Sequence, residues 1–253
     1  MFHISELVLP PLRFIAISAT VPNVSDVAAW LDSSNGMGVT ISQNLRPVKL
    51  EKIVLGYDPI PSARASEYRF EIQLSYKVEA IIRAHSDSKP VIVFSSTRKS
   101  VEFTAKVLAA SNETYFFSDN HRDEYFNEVS KLINANFDIS SGFIYDNESY
   151  FKNVDLKTCL ASGVGFYHSG MDPAERRLLE KLFAKSLIPV LVSTSSLAMG
   201  VNLPAHMVII KNTVQYLAGK TIEYDSAQVL QMIGKNNTFI LILIVLIRFN
   251  LNF

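Results

Sequence analysis

Short rows of branched aliphatic residues alternate with longer stretches of helical periodicity along most of this chain. "LRFIAISAT" (12–20) is apolar and ends in small hydroxyl residues, the pattern of a buried parallel strand running into a loop. "VPNVSDVAAWL" follows, with Val27, Ala28 and Leu31 at helical spacing, before "SSNGMG" (33–38) interrupts with two glycines and marks a boundary. "RPVKLEKIVLGY" (46–57) reads as extended and "DPIPSARASEY" (58–68) as a Pro/Ser-rich connection. "FEIQLSYKVEAIIRAH" predicts an amphipathic helix with Ile72, Tyr76, Ala80 and Ile81 on its buried stripe. "PVIVFSST" (90–97) then reads as a strand and "RKSVEFTAKVLAA" (98–110) as a helix.

"GVGFYHSG" (163–170) is a further strand and loop, followed by "MDPAERRLLEKLFAK" (171–185). In that helix Asp172 can cap, Pro173 suits the first turn, Glu175 completes a capping box, and Leu178, Leu179, Leu182 and Phe183 form the stripe. "IPVLVSTSSLAMG" and "AHMVIIKNT" add two strands. Residues 111–162 are less regular, although "EYFNEVSKLI" within them reads as helical. The alternation predicts an α/β fold with a parallel sheet.

The C-terminal stretch "FILILIVLI" is nine apolar residues before Arg248. A membrane-spanning helix needs about 20, so no membrane association is expected. Composition agrees with a globular chain: 48% hydrophobic and 19% charged, with Lys plus Arg equal to Asp plus Glu at 24 each. The balance gives no overall basic signature but leaves room for a local basic groove. Cys159 is the single cysteine, which excludes an intrachain disulfide. The N-terminus lacks the charged leader and long apolar run of a secretory signal.

Ligands of parallel α/β sheets gather at the carboxyl ends of the strands. "IAISAT", "IVFSSTR" and "VLVSTSSLAMGVNLPAH" each end in hydroxyls and backbone N–H groups where a helix begins, which suits phosphate oxygens. Such residues also serve as plain helix caps. In combination, "SAT" (18–20), "FSSTRKS" (94–100), "FYHSGMDPAERR" (166–177) and "STSSLAMGVNLPAHMVI" (193–209) resemble the later motifs of superfamily 2 nucleic-acid helicases, in the DExH branch. "RPVKLEKIVLGY" and "QMIG" lean towards the meiotic, crossover-promoting DNA helicases of that branch.

The resemblance implies an incomplete RecA-like, P-loop NTPase-type helicase domain: a parallel sheet flanked by helices. Residues 1–38 would be the end of a first RecA-like domain, 39–234 a second one, and 235–253 an aberrant apolar tail. Ser18 and Thr20 would couple nucleotide state to domain movement. Thr97, Arg98, His168 and Thr194 would line the nucleic-acid groove, and Gly200, Asn202, Gln231 and Gly234 would face the nucleotide. The implied cofactors are ATP and Mg²⁺, the implied partner is single-stranded or branched DNA with RNA as the alternative, and the implied location is the nucleus. Plainer readings stand beside these: His168 as an ordinary strand-end histidine, Arg176 and Arg177 as a solvated helix face, and Asn202 with Pro204 as a turn.

The chain also departs from that pattern. No G-x-x-x-x-G-K-[ST] occurs in it, and "FHISEL" does not replace the acidic motif that holds Mg²⁺. After Gly234 come Lys235, Asn236, Asn237 and Thr238 where the family continues into an arginine-bearing R-A-G-R run. An arginine finger is worth on the order of a thousandfold or more in rate. The tail is therefore expected to be a segment without an evolved partner, from an alternative exon, a retained intron or an imperfect gene model, and aggregation-prone. This chain alone is expected not to hydrolyse ATP.

Overall fold

The computed structural model describes residues 14–18, 23–31, 36–41, 49–60, 66–111, 115–135, 151–197, 205–217, 220–233 and 240–248. The chain divides into two compact units, Met1–Arg46 and Pro47–Phe253.

In the first unit, α1 (Val24–Leu31) opens with Val27 N–H donating to Asn23 O. A Cβ on Gly38 would lie 2.5 Å from Val24 Cγ1, so this close approach requires glycine. Residues 14–18 form no strand and are exposed, Ile17 at 94%. This differs from the strand expected there. A parallel strand exists only where a neighbour supplies its hydrogen-bond ladder, and residues 14–18 pair with none among the described residues.

The second unit holds a six-stranded parallel sheet in the order β1 (Lys49–Tyr57), β8 (Ile240–Arg248), β5 (Met207–Ile210), β2 (Val91–Phe94), β4 (Val190–Ser193), β3 (Val164–Tyr167). Successive side chains of a strand point to opposite faces. Every residue of β2, β3, β4 and β5 is buried, so both faces of this part of the sheet are covered by helices. β1 is half-covered: Ile53, Leu55 and Tyr57 pack on the core while Val54 is exposed. A separate antiparallel hairpin, β6 (Val214–Leu217) and β7 (Lys220–Glu223), follows β5.

The helices are α2 (Glu67–His85), α3 (Arg98–Ala109), α4 (Asp119–Ala135), α5 (Val154–Ala161), α6 (Pro173–Ala184) and α7 (Ser226–Ile233). In α6 the stripe is the expected one, Leu178, Leu179, Leu182 and Phe183, and the Asp172 side chain caps by accepting from Ala174 N–H. Glu175 does not close a capping box. Its buried carboxylate accepts from Asn153 N–H at 3.1 Å and ties α6 to the start of α5.

Two further expectations are corrected in this unit. The buried face of α2 is Phe70, Glu71, Leu74, Ser75, Val78, Ile81 and Ile82, while Tyr76 is 62% exposed and Ala80 faces solvent. Ile81 lies on the buried face as expected, but the rest of the stripe is turned because two of the buried residues, Glu71 and Ser75, are polar and apolar periodicity does not count them. The tail segment 240–248 is also not without a partner: β8 lies between β1 and β5, with Ile244 opposite both Ile53 and Ile209. An unbroken aliphatic row suits a strand flanked on both sides, but a row of residues does not disclose which strands it joins.

Candidate nucleic-acid interface

The carboxyl ends of β2, β4 and β3, neighbours in the sheet, bring together four of the residues singled out from the sequence. Ser95 N–H donates to Ser193 O at 2.9 Å and Thr194 N–H to Tyr167 O at 3.4 Å, so the three strand tips stay in register past the last ladder pair. Thr97 and Arg98 follow β2, His168 follows β3 and Thr194 follows β4. Thr97 and Thr194 therefore share one rim.

Thr97 caps α3: its backbone is extended and its hydroxyl accepts from Ser100 N–H at 3.1 Å. Arg98, the first residue of the helix, is exposed and donates through Nη2 to Ser169 Oγ at 3.0 Å. A Cβ added to Gly170 would meet Arg98 Nη1 at 2.9 Å and His168 Nδ1 at 3.3 Å, so the guanidinium lies directly over this loop. Thr194 Oγ1 is 2.7 Å from Ser196 Oγ. This rim offers a guanidinium, the hydroxyls of Thr97, Ser169, Thr194 and Ser196, and the start of α3, which together suit an anionic oxygen.

His168 faces inward rather than outward. Its ring is buried, Nδ1 accepts from Gly170 N–H at 3.2 Å and Nε2 lies 3.0 Å from Glu102 Oε1. With Nδ1 accepting, the ring proton sits on Nε2 and points at the carboxylate. The histidine thus shapes the loop that carries Ser169 and Gly170.

Ser18 lies in the first unit and is exposed. Gln231 is half-buried on α7. Thr20, Gly200, Asn202 and Gly234 lie outside the described residues. Among the described residues no group of three or more His, Cys, Asp or Glu side chains could hold a metal ion.

Residues 143–236 match the family model described as Helicase conserved C-terminal domain. The chain carries a helicase C-terminal domain. Outside that match it remains similar to helicases along most of its length. It is 40% identical over 237 residues, 92% of this chain, to the probable ATP-dependent DNA helicase HFM1 of Xenopus tropicalis, and covers 16% of that protein. It is 34% identical over 227 residues, 88% of this chain, to the ATP-dependent DNA helicase MER3 of Saccharomyces cerevisiae, covering 17% of it. Against the human U5 small nuclear ribonucleoprotein 200 kDa helicase it is 34% identical over 243 residues, 94% of this chain and 10% of that protein. The chain therefore spans less than a fifth of each of these relatives. The helicase C-terminal sheet is the RecA-like parallel α/β fold expected from the motifs.

One polar cluster behind this rim is not apparent from the motifs. Glu71, Ser75, Ser100, Thr104 and Lys211 are buried together beneath the β2 tip. Two signals for it were present: polar pairs at i,i+4 spacing in both α2 and α3, and a lysine directly after the apolar run of β5.

Proposed function

We propose that this chain is a strand-gripping fragment of an ATP-dependent DNA helicase acting 3′ to 5′, in the nucleus and in meiotic recombination with crossover formation. The observation that carries the reading is the shared rim of Thr97, Arg98 and Thr194, in a chain 34–40% identical to the HFM1 and MER3 DNA helicases. Thr97, Arg98 and Thr194 would hold successive backbone phosphates of one DNA strand, and His168 would present the Ser169–Gly170 loop to it. Such contacts are salt-dependent and read no sequence. Ser18 and Thr20 would pass nucleotide state between two RecA-like domains, with Gly200, Asn202, Gln231 and Gly234 at the nucleotide cleft.

ATP with Mg²⁺ supplies the driving force in such helicases, through transfer of the terminal phosphoryl group to water. The 253 residues hold neither the Gly-rich Lys-bearing loop nor the arginines that would follow Gly234. This chain alone therefore binds nucleic acid without turning over ATP. The test is phosphate release by the purified chain with single-stranded DNA. Turnover above background that EDTA abolishes would end this part of the proposal.

RNA is the second substrate class, favoured by the 34% identity to a small nuclear ribonucleoprotein helicase. Grip on phosphates does not report the sugar without 2′-OH contacts. Competition between matched DNA and RNA strands for the chain separates the two, with DNA expected to win.

A further inference from the structure

Lys211 is fully buried at the end of β5, and its three ammonium protons all have partners. Nζ lies 3.0 Å from Ser75 Oγ, 2.7 Å from Ser100 Oγ and 2.8 Å from Thr104 Oγ1. The Glu71 carboxylate, 3% exposed, is 3.7 Å away. Glu71 Oε1 accepts from Ser96 N–H at 3.0 Å and from the Ser100 hydroxyl at 2.7 Å, while Oε2 accepts from the Ser96 hydroxyl. The remaining hydroxyl protons are also placed. Thr104 Oγ1 donates to Ser100 O and Ser75 Oγ donates to Glu71 O.

The cluster joins α2, α3 and the end of β5, and among the described residues its backbone target in a strand-tip loop is Ser96. That residue directly precedes Thr97 and Arg98. A buried ion pair of this kind adds little to stability compared with apolar residues of similar volume. Burial also pushes the Lys211 ammonium down to about 8, with Glu71 opposing, so the charge is held at a cost. What the cluster does provide is a single geometry, since each donor in it has one partner set. A β2–α3 loop held only by its own turn would be freer to move.

We infer that Glu71 and Lys211 are positioning residues that lock the Ser96–Arg98 loop in the pose that grips a backbone phosphate. The inference rests on the reading of Thr97 and Arg98 as nucleic-acid contacts. It assigns the buried pair a role in affinity that neither side chain could exert by touching the strand.

The test uses the full chain, a fluorescently labelled oligo-dT strand and amide hydrogen exchange at residues 95–100. Two variants probe the cluster: Glu71→Leu with Lys211→Met, which removes both charges together, and Ser96→Ala with Ser100→Ala, which keeps them. Arg98→Ala is the reference for loss of the phosphate contact. Each folded cluster variant should raise Kd about fivefold or more and speed exchange at residues 95–100, with exchange in β4 unchanged. Should the double-charge variant fail to fold, the serine pair decides the matter alone. Native Kd and native exchange in a folded variant would overturn the inference. If Arg98→Ala itself leaves Kd unchanged, the nucleic-acid reading fails instead. Exchange then judges the lock alone: faster exchange at residues 95–100 sustains it and native exchange overturns it.

Discussion

His168 and Glu102 meet at 3.0 Å between Nε2 and Oε1, while the other ring nitrogen of His168 accepts the amide proton of Gly170. One side chain therefore braces the loop after β3 against α3, the helix that begins with Arg98. Replacing His168 with leucine leaves the Gly170 N–H and the Glu102 carboxylate without their partner. The expected loss is about 1–3 kcal/mol of stability, measured by urea unfolding followed by circular dichroism. A stability equal to that of the native chain would show that the brace carries no load.

Gly170→Ala probes the same loop from the opposite side. The new methyl group would press on the mobile end of Arg98 at 2.9 Å, which can swing away, so stability should change by less than about 1 kcal/mol. Affinity for single-stranded DNA should drop several-fold because the guanidinium is displaced. Fluorescence anisotropy reads this directly, and unchanged affinity would detach Arg98 from the interface.

Arg98→Ala should weaken binding to all strands alike. It should also reduce the slope of log K against log salt by about one unit, as expected for loss of one phosphate contact. A sequence-dependent loss would point to base contact and contradict the phosphate assignment.

His206 sets an acid limit on stability. The imidazole is buried, and burial holds its pKa below the ordinary 6.5, with the Lys89 charge adding to the effect and Asp87 opposing it. The native state therefore binds fewer protons than the unfolded chain. Its stabilising share is present above the unfolded value and is lost as pH falls through the lower native one. Urea midpoints should fall between about pH 7 and pH 5, and His206→Gln should flatten that decline. A variant that declines as steeply as the native chain would assign the acid sensitivity elsewhere.

The position of β8 is tested with proline. Ile244 is opposite Ile53 on one side and Ile209 on the other, so Ile244→Pro removes a ladder donor from a strand paired on both edges. Amide protection in β1 should collapse towards the level of an unpaired segment, since β8 is the neighbour to which β1 is hydrogen-bonded in the sheet. Retained protection in β1 would place the tail outside the sheet.

Much of the fold was legible because local rules and global burial agree in it. Strands β2, β4 and β5 are short β-branched rows, and α3 and α6 carry caps and stripes at helical spacing. Those features depend on neighbours in sequence and survive without knowledge of the rest. The α2 stripe was misread for the opposite reason. Glu71 and Ser75 look solvent-facing, and only the lysine at the end of a distant strand makes their burial affordable.

By itself the sequence determined the α/β class, the helicase motifs and their order along the chain. These are encoded in periodicity, capping residues and motif spacing. Tertiary structure decided which strand tips share a rim, that His168 turns inward, and that residues 240–248 enter the sheet between β1 and β5. Each of these depends on contacts between segments far apart in the chain, where pairing partners and desolvation, rather than local propensity, set the free energy.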